Sequence, residues 1–446
     1  MGFGIKTKAK KIFYYIKHPT IIYGELTSNS FPKSSYPKFR INSRLAVSLA
    51  DVYTGDFNLT VGVLRSKVNR YAVEIYRKFV LANPNNIGNW SIEVPIFGTR
   101  QLEYEVIQKL INLYKGKNQN LEGYITSGGT EGNLYSVWVG KTFVTKQYDI
   151  HQICLLKTNL THYSIDKACL ICSIKYIDIP LNQKTWSMDP IALEIEIKKQ
   201  INKGVYGFII SLTFGYSETG TCDDLKSINT VIQKLKRRYK KLSVSIIIDA
   251  AFNGLIEPFI TNDFRPFISK DVHVFSTDFS KFTAIPYPAG AVLYRKQLRK
   301  IIERKVPVFP MPDNTLLGSR PGASVAAIWG VIHHFGISGY KKIINNQIKV
   351  KDYFINKILK IFPNVEIIND PHSLVCGIII NKKNDEKFSD QVENKYLLYA
   401  KRALIKFSNG QTRNIRIYKF FFLPHITKRT IDEVILSIKN SIVENN

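Results

Sequence analysis

The chain has 446 residues, 45% hydrophobic and 22% charged, with 63 Lys and Arg against 35 Asp and Glu for a formal net charge of +28. That length excludes a small binding module and that composition excludes intrinsic disorder, leaving roughly two to four structural units and a core large enough for a cofactor site. The basic residues are spread along the chain, and the densest run, Lys234 to Lys241, reads as the solvated end of a helix, so the charge is taken as compositional bias and no specific nucleic-acid partner is expected.

Residues 1 to about 55 are expected to be irregular, because Pro19, Pro32 and Pro37 interrupt any long helix. The basic start (Lys6, Lys8, Lys10, Lys11, Lys17) encloses only a short apolar patch, Ile12 to Ile16, a poor secretory segment, and Lys6 breaks the myristoylation pattern that Gly2 would open. A helix is predicted near Leu64 to Leu81, ended by Asn83-Pro84-Asn85-Asn86. A second runs from Thr99 to Tyr114, with Leu102, Val106, Leu110 and Leu113 close to helical spacing. From Gly123 the pattern alternates. Strands are predicted at Gly123–Thr126, Gln152–Leu156, Gly207–Thr213, Val244–Ile248, Val272–Ser276 and Gly290–Tyr294, with helices at 130–144, 163–174, Asp189–Lys203 and Leu225–Arg238. Short apolar strands alternating with helices indicate an α/β fold with a mostly parallel sheet covered on both faces. After about 330 the texture changes: a helix from Ala323 to roughly Phe335, another over 340–361, strands at Val375–Ile380 and 414–421, and a last helix over 428–443 read as a smaller α/β domain.

No apolar run reaches the ~18 residues of a membrane span. The five cysteines, Cys154, Cys169, Cys172, Cys222 and Cys376, do not form a disulfide framework, and Cys169-x-x-Cys172 lacks the further ligands of a zinc set, so buried free thiols, no metal and a cytoplasmic location are expected.

Ligands of such sheets sit beyond the carboxyl ends of strands. Four predicted loops carry chemistry there. Ser127-Gly128-Gly129-Thr130-Glu131-Gly132-Asn133 lets backbone N–H groups approach a phosphate at a helix start, or is simply a tight turn capped by Thr130. Thr161-His162-Tyr163-Ser164 offers an aromatic plate, or its lone histidine is simply structural. Asp249-Ala250-Ala251-Phe252 ends an apolar strand in a carboxylate, which is costly unless it meets a cation. Ser276-Thr277-Asp278-Phe279-Ser280-Lys281 puts an amine just past another strand. Cradle, plate, acid and amine in that order suit pyridoxal 5'-phosphate: a lysine for the aldehyde, an acid for the ring nitrogen, flat or small neighbours for the ring and N–H donors for the phosphate.

These residues resemble a known family, the group II pyridoxal-phosphate decarboxylases of amino acids. Tyr124 to Asn133 is similar to the corresponding run of histidine and serine decarboxylases. Gly215-Tyr216-Ser217-Glu218-Thr219-Gly220 resembles their loop near the cofactor, and Asp249 to Gly254 with Pro258-Phe259 is similar to archaeal tyrosine/aspartate decarboxylases. Gly318-Ser319-Arg320-Pro321-Gly322 resembles a motif in the form seen in sphingosine-phosphate lyases, and Leu423-Pro424-His425-Ile426-Thr427 a C-terminal strand ending of tyrosine and histidine decarboxylases. The resemblance covers roughly residues 75 to 440 and implies the aminotransferase-type fold (fold type I). It implies an N-terminal segment (1–55) packed on a partner chain, a large cofactor-binding domain (56–325), a small C-terminal domain (326–446) and a homodimer with the active site at the interface.

The resemblance also implies residue roles. Lys281 would take the cofactor aldehyde, Asp249 would pair with the ring nitrogen, and His162 and Ala251 would pack on opposite faces of the ring. Gly129, Thr130 and Ser217 would hold the phosphate; Ser280 departs from the family, but its hydroxyl can still bond phosphate. Two departures bear on the outcome. Ser280 stands where the family usually has histidine, and the stretch Val306 to Asp313 lacks the tyrosine many members carry to protonate the carbanion. His162 or Tyr287 would then return the proton, or the product would be an aldehyde. The expected activity is decarboxylation of an L-amino acid (histidine, serine, tyrosine or an acidic one). The alternatives are a carbon–carbon lyase of the sphingosine-phosphate lyase type, an aldehyde-forming decarboxylase-oxidase, and a catalytically inactive protein of this fold that binds an anionic partner.

Overall fold

The computed structural model describes residues 35, 37–52, 59–64, 66–88, 98–306, 312–379 and 388–443. Most of the segment expected to pack on a partner lies outside the described residues, as do 307–311 of the stretch without the family tyrosine. Met1–Phe57 and Asn58–Asn446 form two separate units.

The first unit holds helix α1 (Lys38–Val52), inside the stretch expected to be irregular. The expectation fails because Pro37 lies just before the first helical residue, where its fixed φ and missing N–H cost nothing. In the second unit α2 (Arg70–Val80) starts later than the predicted Leu64. Asn69 caps it, its side chain accepting from Ala72 N at 3.1 Å, and this leaves Val63 and Leu64 in a non-helical segment.

Then come α3 (Thr99–Leu113), β1 (Leu121–Thr126), α4 (Gly129–Val144), β2 (Ile153–Lys157), α5 (Tyr163–Ile171), β3 (Tyr176–Asp178), α6 (Pro190–Ile201), β4 (Gly207–Thr213), α7 (Leu225–Arg238), β5 (Ser243–Asp249), β6 (Val272–Asp278) and β7 (Gly290–Arg295). The strands make a seven-stranded sheet of order β1-β7-β6-β5-β4-β2-β3. β3, β2, β4, β5 and β6 run parallel, and β7 is antiparallel to both β6 and β1. Every residue of β4 and β5 is buried, as expected of apolar strands with helices on both faces. The three-residue edge strand β3 was not expected; its largely exposed side chains give no apolar signal.

After the short α8 (Arg299–Ile302) comes α9 (Gly322–Ile361), bent at Gly336, whose φ of +56° only glycine adopts without strain. This is the break expected between Phe335 and residue 340. β8 (Glu366–Asn369), β9 (Val375–Ile379), α10 (Asp390–Tyr396), β10 (Lys401–Lys406), β11 (Thr412–Phe421) and α11 (Lys428–Val443) complete the unit. The four strands form an antiparallel sheet, β10-β11-β9-β8. β8, α10 and β10 were not anticipated. The short strands are only partly buried, and β10 owes its place to pairing with β11 along its whole length.

The edge of the large sheet leaves no room for side chains where the chain turns toward the site. A Cβ on Gly290 would lie 2.3 Å from Thr126 Oγ1 and 2.7 Å from Gly128 Cα. Gly290→Ala is expected to lower stability by about 1–3 kcal/mol, read from chemical denaturation, because backbone must move to admit the methyl group.

Candidate active site

The carboxyl ends of β1, β2, β4, β5 and β6 open on one cavity of about 700 Å³. Of the residues predicted from sequence, Lys281, His162, Asp249, Ala251, Gly129, Thr130 and Ser217 line it. Ser280 is not among the lining residues; it is buried, and both its N–H and its hydroxyl donate to Asp278 Oδ1, at 2.9 and 2.5 Å.

Asp249 is the last residue of β5 and is buried. Its Oδ1 accepts from Ala251 N at 3.0 Å and its Oδ2 from Asn133 Nδ2 at 2.7 Å. Lys281 leaves the loop after the neighbouring strand β6. Its carbonyl accepts from Ser66 Oγ at 2.7 Å, and its amine lies 5.9 Å from the centroid of the Phe252 ring. His162 caps α5, with Nδ1 2.7 Å from Ser164 Oγ. Burial lowers its pKa, against the favourable charge of Asp249 and with the repulsion of Lys281.

The phosphate end differs from expectation in who holds the donors. Gly129 N–H donates to Asp278 Oδ2 at 2.9 Å, and Ser217 Oγ donates to Glu218 Oε2 at 2.8 Å. Thr130, exposed in the first turn of α4, has no partner among the described residues.

Sequence reasoning missed two cations. Lys401, the first residue of β10, pairs with Glu218 at 3.0 Å, and Lys419 on β11 makes no ion pair among the described residues. Burial lowers the Lys419 pKa; Glu218 opposes this, and Lys401 and Lys281 add to it. Neither lysine sits in a local motif, so only the pairing of the small sheet could have revealed them. Val63, Leu64, Phe252 and Phe421 supply apolar wall, the two phenyl rings stacked at 5.6 Å. Tyr287 also lines the cavity and is exposed. Arg320 of the Gly-Ser-Arg motif is not a cavity residue; it is buried, donating to Glu103 Oε1 and, at 2.9 Å, to the carbonyl of Ile125. Among the described residues no group of side chains could hold a metal ion, and Cys169 and Cys172 are free thiols.

The ring end of the cavity fits pyridoxal phosphate. The Lys281 amine and the Asp249 carboxylate, groups of the kind that an aldehyde and a pyridine nitrogen require, enter from the ends of adjacent strands. Thr213, opposite Asp249 in the β4–β5 ladder, is buried and lines the cavity beside that carboxylate. A Cβ on Gly129 would stand 3.2 Å from Ala251 Cβ, narrowing the cleft.

Residues 89–379 match the family model described as the pyridoxal-dependent decarboxylase conserved domain. The chain is 26% identical over 423 residues to the L-aspartate/L-glutamate decarboxylase of Pyrococcus horikoshii, covering 92% of this chain and 98% of that one. It is 28% identical over 394 residues to the probable L-tyrosine/L-aspartate decarboxylase of Methanosphaera stadtmanae, covering 86% and 92%. Among solved structures, the glutamate decarboxylase of Lactobacillus brevis superposes with a TM-score of 0.78 at 18% identity, covering 94% of this chain and 95% of that chain, a likeness of fold.

Proposed function

The chain belongs to the pyridoxal-dependent decarboxylase family, and from that premise we propose the roles of its cavity residues and the class of its substrate. It is a pyridoxal-phosphate-dependent carboxy-lyase that decarboxylates an amino acid. The cofactor, when bound, supplies an aldehyde and an electron-accepting ring for the electrons of the breaking Cα–carboxylate bond.

In our reading Lys281 is the amine that holds the aldehyde. Asp249 keeps the ring nitrogen protonated by offering it a fixed anion in a buried site. His162 and Ala251 flank the ring, and Thr130 with the first turn of α4 receives the phosphate. Gly129, Ser217 and Ser280 serve the phosphate only if they exchange their present carboxylate partners, so Ser280 ranks below Thr130. The observation that carries this reading is that Lys281 and Asp249 line one cavity from neighbouring parallel strands, with His162 lining the same cavity.

Lys419 is the half-buried cation that we assign to the substrate carboxylate. It makes no ion pair among the described residues, so an anion would compensate its charge, and its ammonium lies 5.9 Å from the centroid of the Phe421 ring, beside the apolar wall of Val63, Leu64 and Phe252. The proton that replaces carbon dioxide at Cα is assigned to His162 or Tyr287, both at the cavity. The relatives named for aspartate, glutamate and tyrosine favour those side chains as first candidates. We take residues 56–325 as the cofactor-binding domain and 326–446 as the small domain, in a cytoplasmic homodimer. Among the described residues no helix is long and apolar enough to cross a membrane.

The test is a screen of the twenty amino acids for carbon dioxide release, with amine, aldehyde, peroxide and ammonia followed together. Stoichiometric amine without peroxide is expected. Aldehyde, peroxide and ammonia would select the oxidative outcome, and no release from any amino acid by cofactor-loaded protein would sink the proposed substrate class. With the substrate in hand, Lys419→Met is expected to raise KM by roughly 10- to 100-fold, the loss of a hydrogen bond to a charged group. An unchanged KM would remove Lys419 from carboxylate binding.

A further inference from the structure

Asn133 lies in the loop-and-helix motif after β1, yet nothing about a phosphate cradle explains its side chain. It is buried, with both amide hydrogens spent. Nδ2 donates to Asp249 Oδ2 at 2.7 Å and to Ser164 Oγ at 2.9 Å, while Oδ1 accepts from Ser276 Oγ at 3.1 Å. The amide orientation follows from the carboxylate: turned over, its oxygen would face Asp249 Oδ2, two acceptors in contact.

Ser164 Oγ accepts from Asn133, so its own hydrogen is available to His162 Nδ1, 2.7 Å away. The backbone N–H of Ser164, which can only donate, also points at Nδ1, at 3.3 Å. Two donors on one ring nitrogen require a lone pair there, so the ring proton sits on Nε2.

We propose that Asn133 and Ser164 are positioning residues that tie Asp249 and His162 into one hydrogen-bonded unit, keeping Asp249 an acceptor for the ring nitrogen and His162 the neutral Nε2–H tautomer. This rests on the pyridoxal phosphate reading of the cavity. The charged groups that act on His162 are Asp249 and Glu218, which favour its protonation, and Lys281 and Lys401, which oppose it. Burial also disfavours the imidazolium, in the same direction as the relay.

The experiment labels the histidines of the holoenzyme with nitrogen-15 and reads which ring nitrogen carries the proton, with His162→Gln assigning the signal. Cofactor affinity is measured alongside by absorbance. In the unsubstituted enzyme His162 is expected as Nε2–H with Nδ1 unprotonated. Ser164→Ala should shift the His162 nitrogens while cofactor affinity stays within about threefold, because the Asn133–Asp249 bond survives. Asn133→Asp should shift the same nitrogens and also weaken cofactor binding roughly tenfold or more, since the donor on Asp249 is gone. A protonated Nδ1 in the unsubstituted enzyme, or Ser164→Ala leaving the His162 signals in place, overturns the relay, and the second result stands even if Asn133→Asp does not fold. Failure of the unsubstituted protein to take up cofactor would instead defeat the reading of the cavity. The histidine spectra of that same protein still decide the hydrogen-bonded unit.

Discussion

Lys281→Ala is expected to lower turnover by at least about 10³-fold and to abolish the borohydride-sensitive absorbance band near the visible edge. The residue's backbone is held independently of its amine, through the carbonyl bond from Ser66 Oγ. The substitution therefore removes chemistry rather than structure, and thermal stability should stay close to that of the parent. Lys281→Arg is the sharper control. It keeps a cation near Phe252 but offers no neutral amine to an aldehyde, because guanidinium does not deprotonate in proteins. Both variants should fold and both should be colourless after cofactor addition and desalting. Full turnover in either would take the amine out of the reaction and with it the proposed site.

Glu103→Ala is expected to cost about 3–5 kcal/mol of stability, the largest effect of any single change considered away from the cavity. The Glu103 carboxylate is buried and fully used. Oε1 accepts from Ile125 N at 2.8 Å and from Arg320 Nη1, and Oε2 accepts from Asn86 Nδ2 at 2.7 Å. Arg320 is itself buried, over the Tyr124 ring at 4.8 Å, so removing its anion strands a guanidinium away from water. The double variant Glu103→Leu with Arg320→Met should lie nearer the parent than Glu103→Ala, because apolar replacement of a whole buried pair costs far less than breaking it. Denaturant titration of the three proteins reads this directly. A single-variant cost below about 1 kcal/mol would mean that water or another donor reaches the pair. The network matters for function through position. It anchors the end of β1, from which the Ser127–Thr130 turn enters the cavity.

These two effects divide what was readable along the chain from what was not. Lys281, Asp249 and His162 were legible because each stands at or just past the end of a short apolar strand, and the strand-end rule for open α/β sheets says where such ends converge. The resemblance of the Tyr124 to Asn133 run then pointed to the family. Arg320 was legible as part of a motif but its work was not. Its partner Glu103 lies on a helix more than two hundred residues earlier. Gly129 was expected to face phosphate through its backbone N–H and Ser280 through its hydroxyl. Asp278 competes for the same hydrogens from closer range. Asn133 stands within the Tyr124 to Asn133 motif with no role readable from sequence, since an amide's partners depend on which oxygens the fold brings within 3 Å.

The order of short apolar strands and amphipathic helices determined the parallel sheet, and with it the ends at which Asp249 and Lys281 emerge, because backbone pairing and burial of apolar faces are dictated by local pattern. Tertiary structure decided the partners. It brought Lys401 and Lys419 of the small sheet to the same cavity, gave Asp278 the donors of the Gly129 turn, and linked His162 to Asp249 through Ser164 and Asn133. A buried polar atom takes whichever complementary atom lies at bonding distance and angle, and that competition is settled only once segments remote in the chain have packed together.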